Sequence, residues 1–138
     1  MNSESLIALV LIGKPVTEVW AYWTLPEHIM QWNIPFNDWH CPVAENNLVA
    51  GGRFRFQMER KDGREGFDHT GTYTQVIPFE MIAYTLDDNR KTLIEFQQID
   101  HNTIVRERFE PEVGTGTAMQ QEFCQSVLNR FKNYVEQQ

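Results

Sequence analysis

Thr117-Ala-Met-Gln-Gln-Glu-Phe-Cys-Gln-Ser-Val-Leu-Asn-Arg-Phe-Lys-Asn-Tyr134 is the stretch on which the reading of the fold turns. Met119, Phe123, Val127, Phe131 and Tyr134 recur at spacings of three and four, with Cys124, Leu128 and Val135 beside them. That period places them on one broad stripe of an α-helix. Gln120, Gln121, Gln125, Asn129, Lys132 and Asn133 fall mostly on the other side. Thr117 with Gln120 three residues on reads as a capping box, and Gly114 and Gly116 separate the helix from what precedes it. A stripe this aromatic requires a large apolar surface to lie on.

The rest of the chain supplies a sheet. Phe54, Phe56 and Met58 alternate with Arg53, Arg55 and Gln57, the clearest period-two signal in the sequence. Gly51-Gly52 opens this strand and Lys61-Asp62-Gly63-Arg64 turns it. Strands then follow over residues 67–77, 81–86, 92–99 and 103–109, joined by Pro78-Phe79, Asp87-Asp88-Asn89 and Asp100-His101-Asn102. Gly71 reads as a bulge or a point of close approach. Upstream, residues 5–12 form a first strand and residues 38–43 a short one. Between them Pro15 sits at the first position of a helix carrying Val16, Val19, Trp20 and Trp23. Leu25-Pro26 breaks it and starts a second short helix with Ile29 and Trp32 inward. The order is strand, two short helices, about six strands and a long helix. The expected fold is α+β, with a twisted, curved antiparallel sheet of about seven strands wrapped around the C-terminal helix.

At 138 residues, 41% hydrophobic and 12% aromatic, the chain reads as one domain over residues 1–138 with a substantial core. A net charge of −7 argues against nucleic acid or anionic membrane as partner, since both select basic patches. Met1-Asn2-Ser3-Glu4-Ser5 lacks the basic start of a signal peptide, and the apolar run over 6–12 is too short to span a bilayer. Cys41 and Cys124 form no paired motif and read as reduced thiols of a cytoplasmic protein, with a bridge left open.

Several stretches resemble a known family. Pro-Val-Thr-Glu-Val-Trp (15–20), Pro-Glu-His-Ile-Met-Gln-Trp (26–32), Asp-Trp-His-Cys-Pro (38–42), Gly-Gly-Arg-Phe (51–54), Gly-Thr-Tyr-Thr-Gln-Val-Ile-Pro (71–78) and Phe-Lys-Asn-Tyr-Val-Glu (131–136) carry the resemblance. Together they are similar to the START-like, or SRPBCC, superfamily. Within it the match is to short single-domain members of the family named for the activator of the heat-shock-protein-90 ATPase. The resemblance implies a helix-grip fold, the architecture of the birch-pollen allergen, with a cavity between helix and sheet. Phe123-Cys124 stands where similar sequences often carry Gly-Trp, so a relative's ligand is not transferred.

Candidate chemistry is sparse. His40 and Cys41 occupy successive strand positions and point to opposite faces, so no metal site is assigned. No cofactor is assigned: Gly51-Gly52 lacks the helix and Lys-Ser/Thr of a phosphate loop, and neither Gly-x-Ser-x-Gly nor His-Glu-x-x-His occurs. His69 faces inward if Phe67, Gly71 and Tyr73 do. It reads either as a buried, hydrogen-bonded histidine or as a ligand anchor or base. Under strict alternation Glu107 shares the face of Val105 and Phe109, where a carboxylate needs a partner; the inverted facing would put Ile104 inside and Glu107 on the surface. Trp32, Phe36, Trp39, Tyr73, Tyr84 and Phe96 are the expected walls, joined by Phe56 and by Phe123 and Val127 of the long helix.

The first reading is a binding protein, carrier or sensor, for a small hydrophobic or aromatic molecule, without assigned catalytic residues. The alternatives are a cyclase- or hydrolase-like enzyme using His69 and Glu107 as acid–base groups, and a chaperone-interacting protein as the family name implies. A homodimer is left open.

Overall fold

The computed structural model describes residues 5–138; the reading of Met1-Asn2-Ser3-Glu4 as polar, without a leader, lies outside the described residues. In chain order the elements are β1 (Leu6–Ile12), α1 (Val16–Thr24), α2 (Pro26–Trp32), β2 (Trp39–Asn46), β3 (Arg53–Arg60), β4 (Gly66–Ile77), β5 (Met81–Leu86), β6 (Lys91–Ile99), β7 (Asn102–Phe109) and α3 (Thr117–Glu136). The strands form one antiparallel sheet in the order β1-β7-β6-β5-β4-β3-β2. Short turns make β2 to β7 a meander, and β1 closes onto β7 after the excursion through α1 and α2. The sheet curls into a half-barrel around α3, the helix-grip fold expected from the sequence.

Alternation along each strand decides what α3 meets. Ala8, Val10 and Ile12 of β1, Ile94 and Phe96 of β6, and Val105 of β7 are buried in one cluster with Leu128, Phe131 and Val135 of α3. Phe131 is fully buried, its ring 4.9 Å from Trp23 and 4.7 Å from Trp32, so the short helices and the long one share an aromatic junction. Trp20 lies edge-on to Phe96 at 5.1 Å and ties α1 to the sheet. Burying such side chains stabilises by roughly 1.5–3 kcal/mol each.

The stripe on α3 is rotated from the expected row. Leu128, Phe131 and Val135 are its buried line, whereas Met119 and Phe123 remain 68% and 36% exposed. The reason lies on the glutamine side, which faces β1 instead of solvent. Gln125 accepts the Leu9 N–H at 3.1 Å and donates to the Leu9 carbonyl at 2.9 Å. Gln121 donates to the Ile7 carbonyl and Lys132 to that of Leu11, while Glu136 accepts the Gly13 N–H. Residues 7, 9, 11 and 13 present the backbone groups of β1 that point away from β7. Four α3 side chains thus satisfy an open sheet edge, which would otherwise template pairing with another chain.

Two local expectations are corrected and one alternative is decided. The capping box is not made: Gly116 occupies the cap position, and Thr117 begins the helix without capping it. Gln120 instead bonds Glu112 through both its N–H and its carbonyl, and donates to the Thr115 carbonyl. Pro15 caps α1 in extended conformation instead of opening it, and the Val16 N–H finds Gln98 Oε1 at 3.0 Å. Gly71 is a close approach and not the bulge, which falls between Tyr73 and Gln75. A Cβ on Gly71 would stand 2.7 Å from the Thr85 carbonyl and 2.8 Å from the Phe54 ring.

Candidate functional site

The pleat carries Phe56 of β3, His69 of β4, Tyr84 of β5 and Glu107 of β7 to the concave face, beneath the N-terminal half of α3. Register fixes the neighbourhood: Phe56 lies opposite His69, Tyr73 opposite Tyr84, and Glu107 between Ile94 and Ala8. Cys124 and Val127 reach down from α3. Tyr73, Tyr84, Ile94 and Ala8 are buried, whereas Phe56, His69, Glu107, Cys124 and Val127 are only partly buried, although they point into the molecule. These inward-facing side chains keep partial exposure, in contrast to the closed packing around Phe131; the region they line beneath α3 is called the recess.

Two polar pairs sit in this recess. Cys124 Sγ donates to Glu107 Oε2 at 3.0 Å, linking helix to sheet. The Tyr84 hydroxyl lies 3.5 Å from His69 Nε2, a long contact that contributes little. His69 packs by its ring, with centroids 5.5 Å from Phe54, 6.4 Å from Phe56 and 6.0 Å from Tyr84. Burial, and after it the charge of Arg90, lowers the His69 pKa to about 4, with Asp88 pulling the other way. The imidazole is therefore neutral at pH 7. Burial also raises Glu107 above the ordinary carboxylate range, against the Cys124 hydrogen bond. It raises the Cys124 thiol, with the Glu107 charge adding to it, and the Tyr84 phenol. Each shift favours the uncharged form. The recess is polar in places and charge-averse throughout.

The other expected wall residues divide into two groups. Trp32, Tyr73 and Phe96 are closed into the core. Trp32 donates its Nε1 hydrogen to the Tyr22 carbonyl at 2.8 Å, and Tyr73 donates its hydroxyl to Asn46. Phe36 and Phe123 form a rim, with Trp39 buried behind it beside Cys41 and Met58. Phe36 is 51% exposed, with its ring 6.2 Å from Trp39 and 6.0 Å from Phe123. Phe67 continues the line at 5.8 Å from Trp39. An aromatic belt therefore runs from α3, across the α2–β2 loop, to the β3–β4 hairpin.

The structure does not join His69 and Glu107 as an acid–base pair. Among the described residues Glu107 has Cys124 as its hydrogen-bonding partner and His69 has Tyr84. Cys124 was missed as a polar partner because its place beside the helix stripe reads as packing; the buried carboxylate beneath it was the available signal. His40 and Cys41 separate as expected. His40 Nε2 meets Glu59 at 2.9 Å, and buried Cys41, pushed up to about 11 by desolvation, donates weakly to the Val43 carbonyl. Among the described residues no group of three or more His, Cys, Asp or Glu could hold a metal ion. Two hollows lie outside the recess. One of about 490 Å³, open to solvent, is lined by Asn37, Asn129, Arg130 and other polar residues on the outer side of α3. The other, of about 330 Å³, lies on the convex sheet face around Glu80, Glu95 and Arg106.

Residues 14–136 match the family model described as activator of Hsp90 ATPase homolog 1-like protein. The chain belongs to this family. An AHSA1-like protein of the family from Aeromonas hydrophila is 36% identical in its solution structure, with a TM-score of 0.88 over 96% of this chain and 93% of that one. A protein from Cytophaga hutchinsonii is 39% identical, with a TM-score of 0.84 over 96% and 92%. A dimer from Colwellia psychrerythraea, 13% identical, shares the fold at a TM-score of 0.74 over 96% of each chain. No curated protein matches this sequence. No helix among the described residues is long and apolar enough to cross a membrane.

Proposed function

We propose that this family member binds a small hydrophobic or aromatic molecule between the N-terminal half of α3 and the sheet, as carrier or sensor. The observation that carries this reading is the partial exposure of Phe56, His69, Glu107, Cys124 and Val127, all turned inward. Sites for small molecules are concave and mostly apolar, with a few polar groups. The exposed rings of Phe36 and Phe123 provide an apolar entrance, and an apolar guest would cover the surface they leave in water. Catalysis by His69 and Glu107 has less support. Burial weakens the imidazole as a base near neutrality, and the two groups have different hydrogen-bonding partners. The free thiols Cys41 and Cys124 support a cytoplasmic setting, where thiols stay reduced. The chaperone role in the family's name would come to this chain only if a pull-down from its host recovered the chaperone.

Native mass spectrometry of protein purified from its own host, followed by denaturing extraction, tests the proposal. A retained apolar molecule released on denaturation is the expected result. A protein that arrives empty and takes up no apolar compound on incubation would contradict it.

A further inference from the structure

Glu107 is an unusual residue for an apolar recess. It stands on the concave face between Ala8 and Ile94, and its hydrogen-bonding partner among the described residues is the thiol of Cys124. A thiol is a weak donor, and a carboxyl group can engage up to about four hydrogen-bonding sites. Buried polar groups are nearly always satisfied, so Glu107 holds unused capacity toward the space beneath α3. No basic side chain contributes to its pKa shift. The base that acts on His69 is Arg90, itself engaged by Asp88 at 2.7 Å. Arg106 and Arg108, which flank Glu107 in sequence, point to the opposite face. Among the described residues no base stands against Glu107 to neutralise an anionic guest, and its carboxyl group has room for a further hydrogen bond.

We propose that Glu107 recognises the polar end of the bound molecule, selecting a head that donates hydrogen bonds and carries no negative charge, such as an alcohol, a phenol or an amine. This rests on the ligand-binding reading above and adds a chemical class to it. An alcohol or phenol donates its O–H to a Glu107 oxygen, and an amine donates an N–H and favours the ionised carboxylate. A carboxylate would place like charge, or a second acceptor, against Glu107 in a setting where burial already disfavours charge. Fatty-acid carboxylates are thereby disfavoured, although their chains would suit the walls.

The test is displacement of the uncharged dye Nile red by three compounds that share one alkyl chain: 1-decanol, decylamine and decanoate. The dye should bind the wild-type protein saturably. Decanol and decylamine should displace it at concentrations at least about tenfold below that of decanoate, a difference of about 1.4 kcal/mol. In Glu107→Leu the dye should still bind while the three heads converge to within about threefold, a difference of under 1 kcal/mol. Glu107→Gln, a closer isostere, should keep decanol binding through its carbonyl and lose the gain for decylamine. Decanoate displacing as well as decanol, or an unchanged ranking in Glu107→Leu, would overturn the assignment of Glu107 while leaving apolar binding intact. Failure of the dye and all three compounds to bind would instead overturn the ligand-binding reading itself.

Discussion

Cys124 of α3 donates its thiol hydrogen to Glu107 of β7 across 3.0 Å, so helix and sheet meet over a carboxyl group inside the protein. Removing one member leaves the other under-satisfied. Cys124→Ala should lower stability by about 1–3 kcal/mol, the cost of leaving a buried polar group unpaired. Cys124→Ala combined with Glu107→Leu should recover much of the loss in urea denaturation. Strictly additive losses would show that the pair is not coupled.

The His69 imidazole makes stability depend on pH. Its folded pKa, lowered to about 4 from 6.5, means that the unfolded chain binds more protons between these values. Its contribution is complete above pH 6.5 and is lost as pH falls toward 4. The full change is on the order of 3 kcal/mol, at about 1.4 kcal/mol per unit. Denaturation midpoints of His69→Phe should fall less across this window than those of wild type. Parallel curves would show that His69 does not titrate as its surroundings dictate.

The edge contact of Gln125 with Leu9 can be removed without touching the recess. Gln125→Ala deletes two hydrogen bonds to backbone groups of β1 and should cost about 1–3 kcal/mol at the usual 0.5–1.5 kcal/mol each. Hydrogen exchange should report faster exchange at the Leu9 amide, with β4 and β5 unchanged. Equal protection of Leu9 in both proteins would contradict this role.

Gly71 lets the Phe54 ring and the Thr85 backbone close over β4. Gly71→Ala places a methyl group where neither neighbour leaves room, and such overpacking costs about 1–3 kcal/mol. Thermal unfolding of this variant should shift down by several degrees. An unchanged midpoint would show that the strands separate there at little cost.

The sequence carried the fold because its signals were local and redundant. Alternation at Phe54, Phe56 and Met58, turns at Asp87-Asp88-Asn89 and Asp100-His101-Asn102, and the apolar spacing of α3 each specify one element. The same period of two relates His69 and Glu107 to their strand neighbours but does not choose which face is buried. What the residues touch does not. The glutamines of α3 look solvent-bound on a helical projection, because a projection shows no sheet edge. Only the curl of the sheet brings the backbone of β1 to Gln121 and Gln125. Likewise, Cys124 and Glu107 meet through a contact between residues 17 apart in sequence, which no spacing rule connects. Trp32, Tyr73 and Phe96 read as walls by residue type, yet they sit in the core cluster, with Trp32 on the Tyr22 carbonyl and Tyr73 on the Asn46 side chain.

The space beneath α3 is the central claim, and filling it is the most direct test. Val127 points into it and is only partly buried, so Val127→Trp should occupy the recess while Leu128, Phe131 and Val135 stay in place. Nile red should bind wild type at one site and lose affinity by about tenfold or more in Val127→Trp, or roughly 1.4 kcal/mol, with both proteins showing the same circular dichroism. Equal binding by the two folded proteins, or no saturable binding by wild type, would contradict the account.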